Sequence, residues 1–415
     1  MNAATWNLVI YAIAGDAAEH QAVHGAIDDM RAALTTDQCH IAVQVMAKGR
    51  TTRYWISSHD KARTEVLPDV VDASHQASLT AFLNLAGKRL PAAATALVLW
   101  AHGSGLDHIH DYRKKPGGPG GGGLGGGAPT DDPADGLLAA SQAARLRMPY
   151  ARALSPRGRL AAWLPRHPGY GCRWGPDPNT GRFLTNVTMK KAIAASLAGQ
   201  VDLLAINACW MATLEVEYEL RHAAAAIVAS QVYAKPWPYR AIVEAVSRRP
   251  VQTAEQLAQT LIAAVGAEIA ADQRDDAVSA FRAGAALDDL AAAFDAYAEL
   301  AIPLIETDWD VVRDAVLTGV QRLDDPYQAD LGSLVKLLGK RDRHVHAAGQ
   351  AVAQQLEAMR IGHAAHPQHP GLHGLSIFCP KSIEVDLTDA YAGTEFRTNA
   401  WAGFLGKFQP RLAAS

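Results

Sequence analysis

Short apolar runs recur along the first half of the chain, each followed by a stretch with helical spacing. The runs Leu8 to Ala14, His40 to Met46, Arg53 to Ser57, Ala96 to Trp100 and Asp202 to Ile206 have the length and composition of strands. Between them, Gln21 to Leu34, Ser74 to Leu85 and Thr188 to Leu197 space their apolar residues as helices do. This alternation predicts an α/β fold with a mostly parallel central sheet covered by helices. In open sheets of that type, chemistry gathers beyond the carboxyl ends of the strands. Further on, the alanine-rich stretches Thr253 to Ala271 and Leu287 to Leu300 carry apolar faces suited to packing on the sheet.

Two strand ends carry reactive side chains. The run Ala96-Leu-Val-Leu-Trp100 leads into Ala101-His102-Gly103-Ser104-Gly105, and Val201-Asp-Leu-Leu-Ala-Ile-Asn207 leads into Ala208-Cys209. The segment Thr213 to Ala225 has helical spacing, which predicts that Cys209 sits at a strand-to-helix turn, where a helix N-terminus favours the thiolate. A thiol of ordinary pKa, about 8.5, is mostly protonated at neutral pH, and a nearby imidazole activates it. Taken singly, a free cysteine is usually a small buried hydrophobe and a His-Gly turn is often a plain loop. Their joint placement at two strand ends favours a nucleophile and its base.

Composition narrows the function classes. The chain has 415 residues, 49% hydrophobic and 20% charged, enough for an extensive core. A formal charge of -3 gives no electrostatic footprint for nucleic acid or an anionic membrane. No apolar run reaches the roughly 18 residues of a membrane span, and the first residues lack a basic n-region. Cys39, Cys172, Cys209 and Cys379 are widely spaced with no CxxC pair, which predicts a reducing, cytoplasmic setting.

Between the histidine and the cysteine lies Lys114-Lys-Pro-Gly-Gly-Pro-Gly-Gly-Gly-Gly-Leu-Gly-Gly-Gly-Ala-Pro129, continued by Arg145, Arg147, Arg152, Arg157 and Arg159. Such a stretch cannot bury apolar area, so residues 110–170 read as an exposed, flexible insertion, a surface tether or a site of self-cleavage. The expected organisation is a catalytic core over residues 1–250 and a helical extension with late strands over residues 251–415.

Several segments together resemble the clostripain-like (C11) cysteine peptidases, relatives of caspases, gingipains and legumains. Beside His102-Gly103 and Asn207-Ala-Cys209, they are Trp6 to Asp16, Thr51 to Ile56, Ala229-Ser-Gln231 with Pro236-Trp-Pro-Tyr239, Ala277 to Phe281, Asp325 to Leu331 and Gly374 to Phe378. The resemblance implies a caspase-like α/β/α sandwich and a bacterial cysteine endopeptidase. Cys209 would be the nucleophile, His102 the general acid/base, and the backbone amides of Gly103 and Cys209 the oxyanion hole. Asn207, Ser230 and Gln231 would line the first specificity pocket. It also implies a monomer and a protein or peptide substrate, and it allows calcium, although no EF-hand-type acidic loop is present. No third residue orienting His102 is named.

One departure stands out. The family usually has aspartate two residues before the cysteine, where its charge helps select arginine or lysine; Asn207 is neutral. Losing that carboxylate weakens basic selectivity by about 2 to 5 kcal/mol unless another acid compensates. The expectation is therefore an altered P1 preference in a restricted regulatory protease, with a bacterial cell-death or defence effector as a candidate substrate and an inactive caspase-like binding module as the alternative. His363, His366, His369 and His373 recur at short spacing, but their prolines and glycine prevent one helical face, so they read as a solvated loop and not as a metal site. Neither Gly103-Ser-Gly105 nor the polyglycine has a phosphate-loop pattern.

Overall fold

The computed structural model describes residues 4–60, 63–103, 173–271, 273–323, 327–340, 342–381, 391 and 394–415. The insertion at 110–170, Ser104, Gly105 and Cys172 lie outside the described residues.

β1 (Ala4–Ala14) pairs in parallel with β2 (Cys39–Ala47) on one side and β5 (Ala92–Trp100) on the other. β8 (Val201–Asn207) and β9 (Ala224–Ser230) continue the parallel series beyond β5. Antiparallel strands finish both sides: β3 (Arg50–Ile56) and β4 (Arg63–Val66) beyond β2, and β10 (Ala277–Arg282) and β12 (Arg360–Ala365) beyond β9. The result is a nine-stranded sheet ordered β12-β10-β9-β8-β5-β1-β2-β3-β4. Segments after residue 251 thus contribute two of its strands as well as helices. Two short pairs stand apart from it, β6 (Arg173–Pro176) with β7 (Phe183–Thr185), and β11 (Gln328–Asp330) with β13 (Ser376–Phe378).

The central strands are apolar on both faces because both faces are covered. Along β1, Leu8, Ile10 and Ala12 join a core with Val23, Ile27 and Met30 of α1 (Ala17–Ala33). The alternate residues Val9, Tyr11 and Ile13 join the opposite core with Leu79, Phe82 and Leu83 of α2 (Gln76–Arg89). The first core also takes α5 (Tyr239–Arg248) and α6 (Ala254–Ala270). The second takes α3 (Asn186–Ala194), α4 (Leu214–Leu220) and α7 (Ala285–Ala301). α8 (Leu304–Thr307), α9 (Trp309–Asp314), α10 (Leu331–Leu338), α11 (Arg343–Met359) and α12 (Ala400–Ala414) extend that second layer. No described helix is long and apolar enough to cross a membrane.

One expected element is different. The helix anticipated over Thr213 to Ala225 ends at Leu220, and the alanines from Ala224 onward form β9. Alanine favours helix intrinsically, but pairing with β8 on one side and β10 on the other overrides that preference.

Candidate active site

Parallel pairing puts three neighbouring strand ends on one rim. Ala12 of β1 is in register with Trp100 of β5, and Trp100 with Asn207 of β8. Beyond those ends the chain carries Glu19, His102 and Cys209 respectively. Gly103 locks two of the turns together: a Cβ there would lie 2.4 Å from the Cys209 carbonyl oxygen, 2.9 Å from Met211 Cγ and 3.0 Å from Ala208 Cβ. Only glycine allows that approach, so the residue after the histidine packs directly on the backbone of the cysteine.

Cys209 is only 4% exposed. Its sulfur accepts a hydrogen bond from the Ala234 amide at 3.3 Å. The Trp210 amide donates to Val232 O at 3.1 Å and the Ala212 amide to Ser230 O at 2.9 Å. Ala212 O in turn accepts from the Ser376 amide at 2.9 Å. Trp210 reaches these partners in the left-handed region, with φ of 55°. The helix expected from Thr213 is present, with Thr213 as its N-cap. Residues 210–213 run beside the loop after β9, and α4 begins only at Leu214, capped by the Thr213 hydroxyl accepting from the Val216 amide. The amide close to the thiol is that of Ala234, from a different segment.

His102 has a partner that sequence reasoning did not name. Its Nε2 meets Glu19 Oε1. The other carboxylate oxygen of Glu19 accepts from the Gly15 amide at 2.6 Å and the Asp16 amide at 3.2 Å. Asp16 caps α1 in return, its Oδ1 accepting from the Glu19 amide at 2.8 Å. Burial works against the charge on both members of the pair, yet their mutual hydrogen bond and attraction prevail. His102 is held above the ordinary histidine value and Glu19 below the ordinary carboxylate value. In the sequence, Asp16-Ala-Ala-Glu19 reads as a capping box before an apolar stretch, which it is. Nothing in that spacing reveals that the same glutamate reaches a histidine just beyond β5.

The three residues expected around the first specificity pocket are all engaged inside the protein. Asn207 Nδ2 donates to Lys235 O at 3.0 Å, while its Oδ1 accepts from the Trp237 amide at 3.1 Å and the Tyr239 hydroxyl at 3.2 Å. Ser230 Oγ donates to Ala277 O at 2.8 Å and Val232 O at 3.1 Å. Gln231 Nε2 reaches Asp330 Oδ2 at 3.2 Å and Ser376 Oγ at 3.1 Å, and its Oε1 accepts from the Gly374 amide at 2.9 Å. Asn207 thus holds part of residues 233–239, a segment also fastened by buried Arg274, which donates to Lys235 O at 2.9 Å and Pro236 O at 3.1 Å and pairs with Asp276 at 2.5 Å. Half-exposed Tyr233 and the ion pair of Lys235 with Asp275 at 3.1 Å lie on its outer side.

The four histidines near the C-terminal end go to separate partners. His363 Nδ1 meets Ser279 Oγ at 2.9 Å, His366 Nδ1 accepts from the Gln368 amide at 3.2 Å, His369 Nε2 meets Asp275 O at 2.9 Å, and His373 Nδ1 meets Asp330 at 2.7 Å. Among the described residues no three His, Cys, Asp or Glu side chains converge to hold a metal ion.

A profile of the clostripain family matches residues 162–313. Two solved structures share the fold over nearly the whole chain. A secreted C11 cysteine protease from Bacteroides thetaiotaomicron, in complex with an irreversible peptide inhibitor, is 14% identical, with a TM-score of 0.63 over 96% of this chain and 99% of that one. An inactive zymogen C11 protease from Parabacteroides distasonis is 17% identical, with a TM-score of 0.60 over 96% and 99%. A comparison with curated protein sequences finds no match. In the profile match over residues 162–313 and in the shared α/β architecture, this chain is similar to the clostripain-family (C11) cysteine peptidases.

Proposed function

We propose that the chain is an endopeptidase working through a dyad of Cys209 and His102. The observation that carries this reading is the packing of Gly103 on the Cys209 carbonyl, which couples the histidine turn to the cysteine turn. The Cys209 thiolate attacks the peptide carbonyl carbon, forming the C–S bond. The oxygen that becomes negative is bound by the amides of Gly103 and Cys209. The C–N bond then breaks, and the leaving amine takes a proton from the His102 imidazolium. Water, giving its proton to the now neutral imidazole, hydrolyses the thioester, releasing the carboxylic acid and restoring the thiolate and the imidazolium.

In this reading Asn207 shapes the first specificity pocket indirectly, by holding residues 235–239, because its amide is engaged there. A neutral wall of this kind supports an altered P1 preference. The low exposure of Cys209 supports a restricted, regulatory protease over a digestive one, with a bacterial cell-death or defence effector as a candidate substrate. That same burial is the observation favouring the second reading, a caspase-like binding module without turnover.

One experiment separates the two. A fluorogenic peptide panel varied at P1 is turned over by wild type, by His102→Ala at about 10²- to 10⁴-fold lower kcat/KM, and not by Cys209→Ala. Silence of the wild type toward every peptide, together with no labelling of Cys209 by a thiol-reactive peptide, would establish the binding module.

A further inference from the structure

The catalytic pair described above leaves open what sets the orientation and charge of its histidine, and the geometry points to Glu19. We infer that Glu19 is a positioning residue for His102, binding the imidazole through Nε2 so that Nδ1 is the nitrogen that exchanges protons with the substrate; this rests on His102 being the acid/base of the dyad.

Three observations support it. First, Glu19 Oε1 contacts His102 Nε2 directly, linking the start of α1 to the end of β5. Second, the carboxylate is fixed before any substrate arrives. Its Oε2 is held by the Gly15 and Asp16 amides, and its residue occupies the first turn of a helix capped by Asp16. A group fastened at one oxygen and bonded to the imidazole at the other allows the ring little choice of direction. Third, the site is half-sheltered: the side chains are 40% exposed for His102 and 22% for Glu19, so solvent screens the pair only in part.

Other ionisable groups around the pair come from several elements. Asp16, on the same turn as Glu19, also favours a charged His102. Across the rim, Tyr233 from the loop after β9 responds to the charges of Cys209, Asp276, Glu19 and Asp275, which places it in the same electrostatic neighbourhood. Lys235 is neutralised by Asp275. Glu19 is the group among these that touches the ring.

The consequence is an alkaline limit set by Glu19. The imidazolium must survive to protonate the leaving amine, and a partner that raises its proton affinity carries activity to higher pH. Glu19→Gln isolates this role. Glutamine is as good as glutamate at the third position of a capping box, so the helix start is kept while the charge is lost.

The test has two arms. In the Cys209→Ala protein, NMR titration of the His102 ring should give a midpoint above the ordinary histidine value of about 6.5. Adding Glu19→Gln should lower that midpoint. In active enzyme, Glu19→Gln should lower kcat about tenfold at slightly alkaline pH with KM within about twofold, and move the alkaline limb of kcat/KM down by the same interval. An imidazole that titrates at or below 6.5 with Glu19 intact overturns the proposal, and so does a Glu19→Gln enzyme with the wild-type pH profile; the glutamate would then be a helix cap only. A wild-type rate in His102→Ala would instead overturn the dyad, so the two failures are distinguishable.

Discussion

The turns that follow β5 and β8 lie side by side on one rim, and they are built in different ways. His102 is 40% exposed at its side chain and has a charged contact to Glu19. Cys209 is 4% exposed, and its turn is held by amide-to-carbonyl hydrogen bonds from Trp210 to Val232, Ala212 to Ser230 and Ser376 to Ala212. The proposed base is thus placed by side-chain electrostatics and the proposed nucleophile by the main chain. An electrostatic contact can be adjusted by one substitution or by pH, whereas a main-chain scaffold changes only by repacking.

The largest break in this arrangement is expected at Gly103, where the two turns touch. Gly103→Ala drives a methyl into the Cys209 carbonyl. It should cost about 1 to 3 kcal/mol of stability and at least about 10² in kcat/KM through displacement of the reacting groups. Denaturant midpoints and peptide kinetics on the same preparation check it; wild-type values in both would mean that the turns are not in register as described.

A smaller break, confined to the nucleophile side, is expected from Asn207→Ala. It strands the Trp237 amide, the Tyr239 hydroxyl and Lys235 O, all of which Asn207 now satisfies. The expected loss is about 1 to 3 kcal/mol, with a raised KM because the 235–239 segment is released. Asn207→Asp tells charge from anchoring: a carboxylate cannot donate to Lys235 O, so the variant should lose stability and still fail to become selective for arginine or lysine at P1. A gain of basic selectivity without loss of stability would refute the anchoring role.

The smallest effect sharpens the contrast between carboxylates on the two sides. Glu19 is exposed enough to be charged and useful, whereas Glu217 on α4 is fully buried and neither of its oxygens has a partner among the described residues. Burial raises it well above the ordinary carboxylate range. A carboxyl raised in the folded state destabilises progressively as pH rises past its unfolded value of about 4.3. Glu217→Gln should therefore stabilise by about 1 kcal/mol at pH 7 to 8, an advantage that disappears near pH 4. Melting curves at both pH values test this, and a gain at pH 4 equal to that at pH 8 would contradict it.

Much of this was legible before any coordinates. The strands β1, β2, β5 and β8 announce themselves because burial on both faces demands unbroken apolar runs, and His102 and Cys209 follow because each ends such a run. Contacts between distant segments were not legible. Asp16-Ala-Ala-Glu19 has a complete local explanation, so its link to His102 is hidden. The helix expected from Thr213 formed, but the path of residues 210–213 between it and Cys209 was not legible, because the Trp210 and Ala212 amides find partners some twenty residues away, at Val232 and Ser230. β9 was concealed by its alanines, whose strand conformation comes from their neighbours in the sheet.

The hydrogen bond from the Ala234 amide to the Cys209 sulfur has a kinetic meaning. Together with the 4% exposure of Cys209, this contact predicts that a peptide carbonyl meets the sulfur in molecules whose 233–237 segment has moved aside. Every second-order rate constant measured at this thiol, for substrate or for an alkylating reagent, is then an intrinsic value multiplied by an open fraction. Two reagents of very different reactivity would be slowed by the same factor, and at high concentration the faster one would report the opening rate of the segment itself.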